Sequence, residues 1–230
     1  MIFAANFKCN HTRNSTKSYI ETLNKLLSNN CNHECFVFPP ATALIDSTKN
    51  ITIGTQNAYS TKNGAYTGEI GLEQLSEFSI KTILIGHSER REILSESQEV
   101  VAKKFQFFME QGFKIIYCIG EPLEVREAGF ESVMNYLAEQ FVGIDISYPD
   151  LIVAYEPIWA IGTGRSATND EITSTHKALK SIIKAPLLYG GSVNISNIKE
   201  IAEINEVDGV LVGSASLDSY KFYELLKSVN

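Results

Sequence analysis

A (β/α)₈ barrel is the fold this sequence predicts, on three observations. Eight short apolar runs recur along the 230 residues, starting at positions 2, 35, 51, 82, 114, 151, 185 and 209. Most starts are separated by about one βα unit of roughly 30 residues. Amphipathic helical patterns fill most of the gaps. Runs that are apolar throughout and alternate with helices mean a parallel sheet covered on its faces. Eight units fit either an open doubly wound sheet or a closed barrel. The first βα turn, FKCNHTRN, lacks the G-x-G-x-x-G of a dinucleotide fold, which favours the barrel.

Taken in order, Ile2–Phe7 is the first strand, and Ser18–Leu27 places Tyr19, Leu23 and Leu26 on one side of a helix, with Ser15 as its N-cap. Strands at Cys35–Phe38 and Ile51–Gly54 are joined by little more than ATALIDSTK, too short for a full outer helix. A long connection, Thr55–Gly71, has Ala65-Tyr66-Thr67 at an apolar tip. The fourth strand, Thr82–Ile85, and the fifth, Lys114–Ile119, flank a helix at Val100–Met109. A helix at Val133–Phe141 precedes the sixth strand, Leu151–Tyr155. Ile172–Ile183, capped by Asn169, leads to the seventh, Ala185–Tyr189. A helix start near Ser196, the eighth strand Gly209–Val212 and a helix over Leu217–Val229 close the series.

Composition narrows the function. An apolar fraction of 44% supplies a sizeable core, and no Pro/Gly/Ser linker, charge block or low-complexity tract divides the chain, so residues 1–230 read as one catalytic domain. A net charge of −7 without a basic stripe disfavours nucleic acid. No basic n-region precedes the first strand and no 18-residue apolar span occurs, which argues against a signal peptide and a membrane segment and for a cytoplasmic protein. Cys9, Cys31, Cys35 and Cys118 have no paired spacing and read as free thiols. Cys31 and Cys35 flank His33 but lack a second ligand cluster, so no metal and no other cofactor is expected. Sequons at Asn10, Asn14, Asn50 and Asn194 matter only on a secretory route that nothing else supports.

In a barrel, chemistry belongs at the C-terminal ends of the strands. The sixth strand delivers Glu156, and Pro157 then bars a further ladder bond. The segment beyond it, IWAIGTGR, holds the chain's single tryptophan, Trp159, yet ends in Gly162 and Gly164. An apolar stretch with flexible ends suits a cover that opens and packs down. The first strand ends in Asn6-Phe7-Lys8 and the fourth in Gly86-His87-Ser88-Glu89-Arg90. The seventh and eighth end in Gly190-Gly191-Ser192 and Gly213-Ser214. Glycine turns leading to helix starts near Asn194–Ser196 and Leu217 can aim backbone N–H groups at an oxyanion. His87, ahead of a helical turn, is expected to be a neutral hydrogen-bond donor. Lys8 supplies a fixed positive charge, with Asn6 holding it. A carboxylate base, a neutral electrophile, a cation and a phosphate cradle point to proton abstraction beside a carbonyl, through an enediolate.

Five motifs, NFK at 6–8, IGHSERR at 85–91, AYEPIWAIGTG at 154–164, YGGSV at 189–193 and LVGSASL at 211–217, resemble the triosephosphate isomerase family in order and across the whole chain. The resemblance implies interconversion of dihydroxyacetone phosphate and D-glyceraldehyde 3-phosphate. It implies Glu156 as the base, His87 as the electrophile, and Lys8 and Asn6 as substrate contacts, with Glu89 behind them. The N–H groups of Gly162, Ser192, Gly213 and Ser214 would hold the phosphate. It further implies a homodimer, with the 55–71 loop inserted into a pocket of the second subunit near Lys8. One departure is Ser214, where the family commonly has glycine; a changed KM with an intact mechanism is expected. A Schiff-base aldolase would need a lysine in the barrel mouth where the sixth strand presents Glu156, and a non-catalytic barrel would make Glu156 dispensable.

Overall fold

The computed structural model describes residues 1–27, 32–161 and 166–229. Eight parallel strands, β1 (Ile2–Asn6), β2 (Glu34–Phe38), β3 (Thr52–Ile53), β4 (Thr82–Ile85), β5 (Lys114–Ile119), β6 (Leu151–Tyr155), β7 (Leu187–Tyr189) and β8 (Gly209–Val212), form one sheet in the order β3-β2-β1-β8-β7-β6-β5-β4. The two ends of that order meet. Thr55 bridges to Ile83 in parallel, donating its N–H to the Thr82 carbonyl at 2.9 Å and accepting from Leu84 at 2.9 Å. The result is a nearly closed (β/α)₈ barrel.

Pleating sorts the strand residues into two cores. Ile2, Ala4, Phe36, Phe38, Leu84, Ile116, Cys118, Ile152, Ala154, Leu188 and Leu211 fill the barrel interior. Their alternates, among them Phe3, Val37, Ile83, Tyr117, Val153, Tyr155, Tyr189 and Val210, face the helices. Burial on both faces explains why the strands read as continuous apolar runs. Each fully buried Leu, Ile or Phe adds about 1.5–3 kcal/mol of hydrophobic stabilisation before entropy is counted. The parity also aims the chemistry: Asn6 continues the inward series 2, 4, 6, and Glu156 the series 152, 154, 156.

The outer layer is α1 (Arg13–Leu27), α2 (Leu72–Ser76), α3 (Ser88–Glu92), α4 (Gln98–Glu110), α5 (Leu123–Glu127), α6 (Phe130–Glu139), α7 (Asn169–Ile182), α8 (Ile198–Ala202) and α9 (Ser219–Lys227). Between β2 and β3 only a 3₁₀ turn, Ala41–Ala43, replaces an outer helix.

Several boundaries differ from the sequence expectation. The helix expected from Ser18 begins at Arg13, because Thr12 and Ser15 exchange hydrogen bonds (Thr12 N–H to Ser15 Oγ 2.9 Å, Ser15 N–H to Thr12 Oγ1 3.3 Å) and so bring the preceding polar turn into the helix. Ser15 is therefore inside α1 and not its cap. The cap of α7 is Thr168, one residue before Asn169, with Glu171 completing a capping box. Near Ser196 the chain makes a turn held by Asn194 and Asn197, and α8 starts at Ile198. After β8 a 3₁₀ turn, Ser214–Ser216, precedes α9.

Candidate active site

Glu156 directly follows β6 on the inward side and is 2% exposed. Its backbone N–H donates to Ile119 at 2.7 Å, fixing the strand end. Two glycines make the seat possible. A Cβ on Gly120 would stand 1.8 Å from the Glu156 carbonyl oxygen, and one on Gly190 would stand 2.9 Å from Glu156 Cγ. The carboxylate Oε2 accepts the Ser88 N–H at 3.1 Å, and Oε1 lies 3.1 Å from His87 Nε2.

His87 is 6% exposed and is the N-cap of α3. Its Nδ1 accepts the Glu89 N–H at 3.2 Å, so the proton of the neutral ring sits on Nε2, facing Glu156. Burial works to lower the imidazole pKa, but the Glu156 carboxylate outweighs it and raises the value above 6.5. Burial likewise works to raise the Glu156 pKa; His87, the Ser88 amide and Lys8 together hold it below the ordinary 4.5. The expectation that a helix N-terminus keeps His87 neutral is thus incomplete. The five-residue α3 is a weak dipole, and the ring's state depends on which group faces Nε2. A substrate oxygen in place of the carboxylate weakens the larger of the two raising influences, Glu156 over Glu89, and so shifts the balance towards burial and the neutral donor.

Lys8 adopts φ 50°, uncommon for a residue with a Cβ. Three contacts hold it: its N–H donates to Asn6 Oδ1 at 3.0 Å, its carbonyl accepts Gln56 Nε2 at 2.8 Å, and its Nζ meets Glu89 Oε1 at 2.7 Å.

Asn6, Lys8, His87, Glu156, Gly190, Gly191, Ser192, Gly213 and Ser214 all line one cavity of about 670 Å³ at the C-terminal mouth of the barrel. Glu89 reaches this group through Lys8. Ser192 is fixed from both sides, its hydroxyl donating to Ala160 at 2.9 Å and its carbonyl accepting Asn197 Nδ2 at 2.9 Å. The helices after both glycine turns begin later than expected, and α8 is only five residues long. An anion here therefore relies on backbone N–H groups more than on helix dipoles. Gly162 and Gly164 lie outside the described residues, as does Cys31. Leading into that segment, Trp159 Nε1 donates to the buried Glu121 at 3.0 Å, and Tyr155 Oη and Arg126 reach the same oxygen at 3.0 and 2.6 Å.

Sequence reasoning missed Ser88, Gln56 and Glu121. Each acts on a group 34 to 68 positions away, and no local pattern marks such a partner. Gly190 is more than part of an anion turn, because its missing Cβ also makes room for the carboxylate. Among the described residues, no group of three or more His, Cys, Asp or Glu side chains is placed to hold a metal ion, and no helix is long and apolar enough to cross a membrane.

A nearly closed barrel with a buried carboxylate and an imidazole N–H facing one cavity at the C-terminal strand ends belongs with the (β/α)₈ barrels, not with the dinucleotide-binding sheets. Comparison with known proteins narrows that class. The family model described as "Triosephosphate isomerase" matches residues 1–229. A protein of that name from Sulfurovum sp. is 65% identical over 227 residues, covering 98% of this chain and 99% of the relative. One from Wolinella succinogenes is 56% identical over 232 residues with both chains fully covered, and one from Sulfurimonas denitrificans is 56% identical over 218 residues, 94% and 91% of the two chains. The chain belongs to the triosephosphate isomerase family.

Proposed function

We propose that the chain interconverts dihydroxyacetone phosphate and D-glyceraldehyde 3-phosphate, a step of glycolysis, with Glu156 carrying the proton. The observation that carries the catalytic assignment is the 3.1 Å approach of Glu156 Oε1 to His87 Nε2 inside a cavity that also holds Lys8. In this arrangement the reacting groups satisfy one another. A substrate whose carbonyl oxygen takes the His87 N–H leaves the carboxylate free to remove the proton from the adjacent carbon. The C–H electron pair forms the C=C bond of the enediolate, and the carbonyl electrons move to the oxygen facing His87 and Lys8. Glu156 then returns the proton to the neighbouring carbon, and proton exchange between the two oxygens completes the isomerisation. The N–H groups of Ser192, Gly213 and Ser214, joined by Gly162, hold the phosphate. The Trp159–Glu121 bond would root the cover that the sequence leads one to expect, and such a cover would keep water from the intermediate.

Running the reaction in D₂O tests this. Deuterium must appear on the carbon beside the carbonyl of the product, and borohydride must not trap a substrate–protein adduct. A hydride shift without exchange, or covalent labelling, would overturn the reading.

We further propose that the molecule works as a homodimer in the cytoplasm. Tyr66, 47% exposed, packs at a tilt against Tyr59 at 4.4 Å between ring centroids, so the 55–71 loop presents a shaped aromatic tip. Its root is tied to the site by Gln56. Sedimentation tests it: a dimer that a Tyr66→Asp substitution dissociates supports the reading, and a monomeric parent removes it.

A further inference from the structure

The segment after β1 is bent to positive φ at two residues, Lys8 (50°) and His11 (70°). Such a conformation persists at a residue with a Cβ when its surroundings over-determine it. At His11 the surroundings are specific. Nε2 lies 3.0 Å from the carbonyl of Leu217, and because a carbonyl only accepts, that nitrogen carries the proton. Nδ1 is left to accept the Ser15 hydroxyl at 3.2 Å. The ring packs on Phe7 at 4.4 Å and meets Tyr19 at 5.7 Å. Tyr19 itself donates its buried hydroxyl to the carbonyl of Ser216 at 2.7 Å. Two side chains of the β1–α1 segment therefore grip consecutive carbonyls of the turn that begins at Gly213-Ser214, about two hundred residues away in sequence. The turn has little freedom left on that side, since the Ser216 hydroxyl also contacts the carbonyls of Val212 and Gly213 at 2.9 and 2.7 Å. Lys8 and the turn face each other closely: a Cβ on Gly213 would sit 3.3 Å from Lys8 Cε.

We propose that His11 and Tyr19 form a clamp that sets the Gly213–Ser216 turn against the Lys8 segment, making both residues positioning groups for the substrate phosphate. The inference rests on the reading that Gly213 and Ser214 receive that phosphate. The clamp acts from behind the turn, on its carbonyls, and so fixes the direction of its N–H groups without touching the ligand.

The experiment compares the parent with Tyr19→Phe, which keeps the core volume and removes one hydroxyl, and with His11→Gly, which accepts φ 70° without strain and removes the ring. Three quantities are read: kcat and KM for D-glyceraldehyde 3-phosphate, the inhibition constant of inorganic phosphate, and the thermal midpoint. Losing one such hydrogen bond should raise KM and the phosphate inhibition constant together by about 3- to 10-fold, with kcat within about 2-fold. Phosphate inhibition unchanged in Tyr19→Phe overturns the clamp, whatever the midpoint does, because a purely structural contact would lower only the midpoint. The two readings fail separately. A parent that turns over substrate but is not competitively inhibited by phosphate contradicts the cradle itself, whereas competitive inhibition with unmoved variants contradicts the clamp alone.

Discussion

Replacing Gly190 by Ala adds a single methyl group, and the structure states where it would go. The new Cβ would lie 2.9 Å from Glu156 Cγ, 3.3 Å from the Tyr155 carbonyl oxygen and 3.7 Å from Leu211 Cβ. Ordinary contact begins near 3.4 Å. The Tyr155 oxygen is strand backbone that already accepts the Gly190 N–H at 2.7 Å, so it cannot yield easily. The Glu156 side chain must retreat instead, by roughly 0.5–1 Å. A displacement of about 1 Å at a reacting group costs on the order of 10²-fold in rate. The phosphate turns keep their own anchors, so kcat should fall by about 10- to 100-fold while KM changes little. Glu156→Asp draws the same carboxylate back from the other direction and should give a similar loss. A coupled assay with D-glyceraldehyde 3-phosphate measures both, with circular dichroism confirming a folded barrel. A folded Gly190→Ala variant with parental kcat would refute the claim that this glycine exists to seat the carboxylate.

Other expectations rest on separate features. His87→Ala removes the Nε2–H donor and should lower kcat by roughly 10²–10³-fold, as for an oxyanion-hole group; a loss under tenfold would assign the oxyanion to Lys8 alone. Ser214→Gly removes a hydroxyl from the cavity rim and should move KM by less than about tenfold with kcat unchanged; steady-state kinetics decide, and a collapse of kcat would contradict a purely binding role. His176 is fully buried between Tyr155 and Tyr189, and burial lowers its pKa to about 4. Below pH 6.5 the unfolded chain takes up this proton and the folded chain does not, so stability falls as pH drops from 6.5 towards 4, by about 3 kcal/mol in all. Urea unfolding across that range, with an NMR titration of the ring, checks it. A midpoint near 6.5 would contradict the burial argument.

Much of the fold was legible because both faces of each strand are covered. Thr82–Ile85, Lys114–Ile119, Leu151–Tyr155 and Gly209–Val212 begin and end where their apolar runs do. Where polar partners decide, the sequence reading was less accurate. Pro186 cannot join the ladder as a donor, so β7 starts at Leu187 and not at Ala185. β3 holds only Thr52–Ile53, and the Ile51 and Ile53 N–H groups go to the Thr48 and Ser47 side chains and not to a neighbouring strand. The site residues stood out as polar groups at strand ends. Their partners did not: the Ser88 amide, Gln56 and the His11–Leu217 contact are made by tertiary proximity, and a composition or periodicity argument has no access to them.

The central claim is that one carboxylate, Glu156, moves the proton. Glu156→Gln keeps the shape and removes the base, so kcat for D-glyceraldehyde 3-phosphate should fall by on the order of 10²–10⁴-fold while inorganic phosphate inhibits as in the parent. A Gln variant within tenfold of parental kcat would contradict the account.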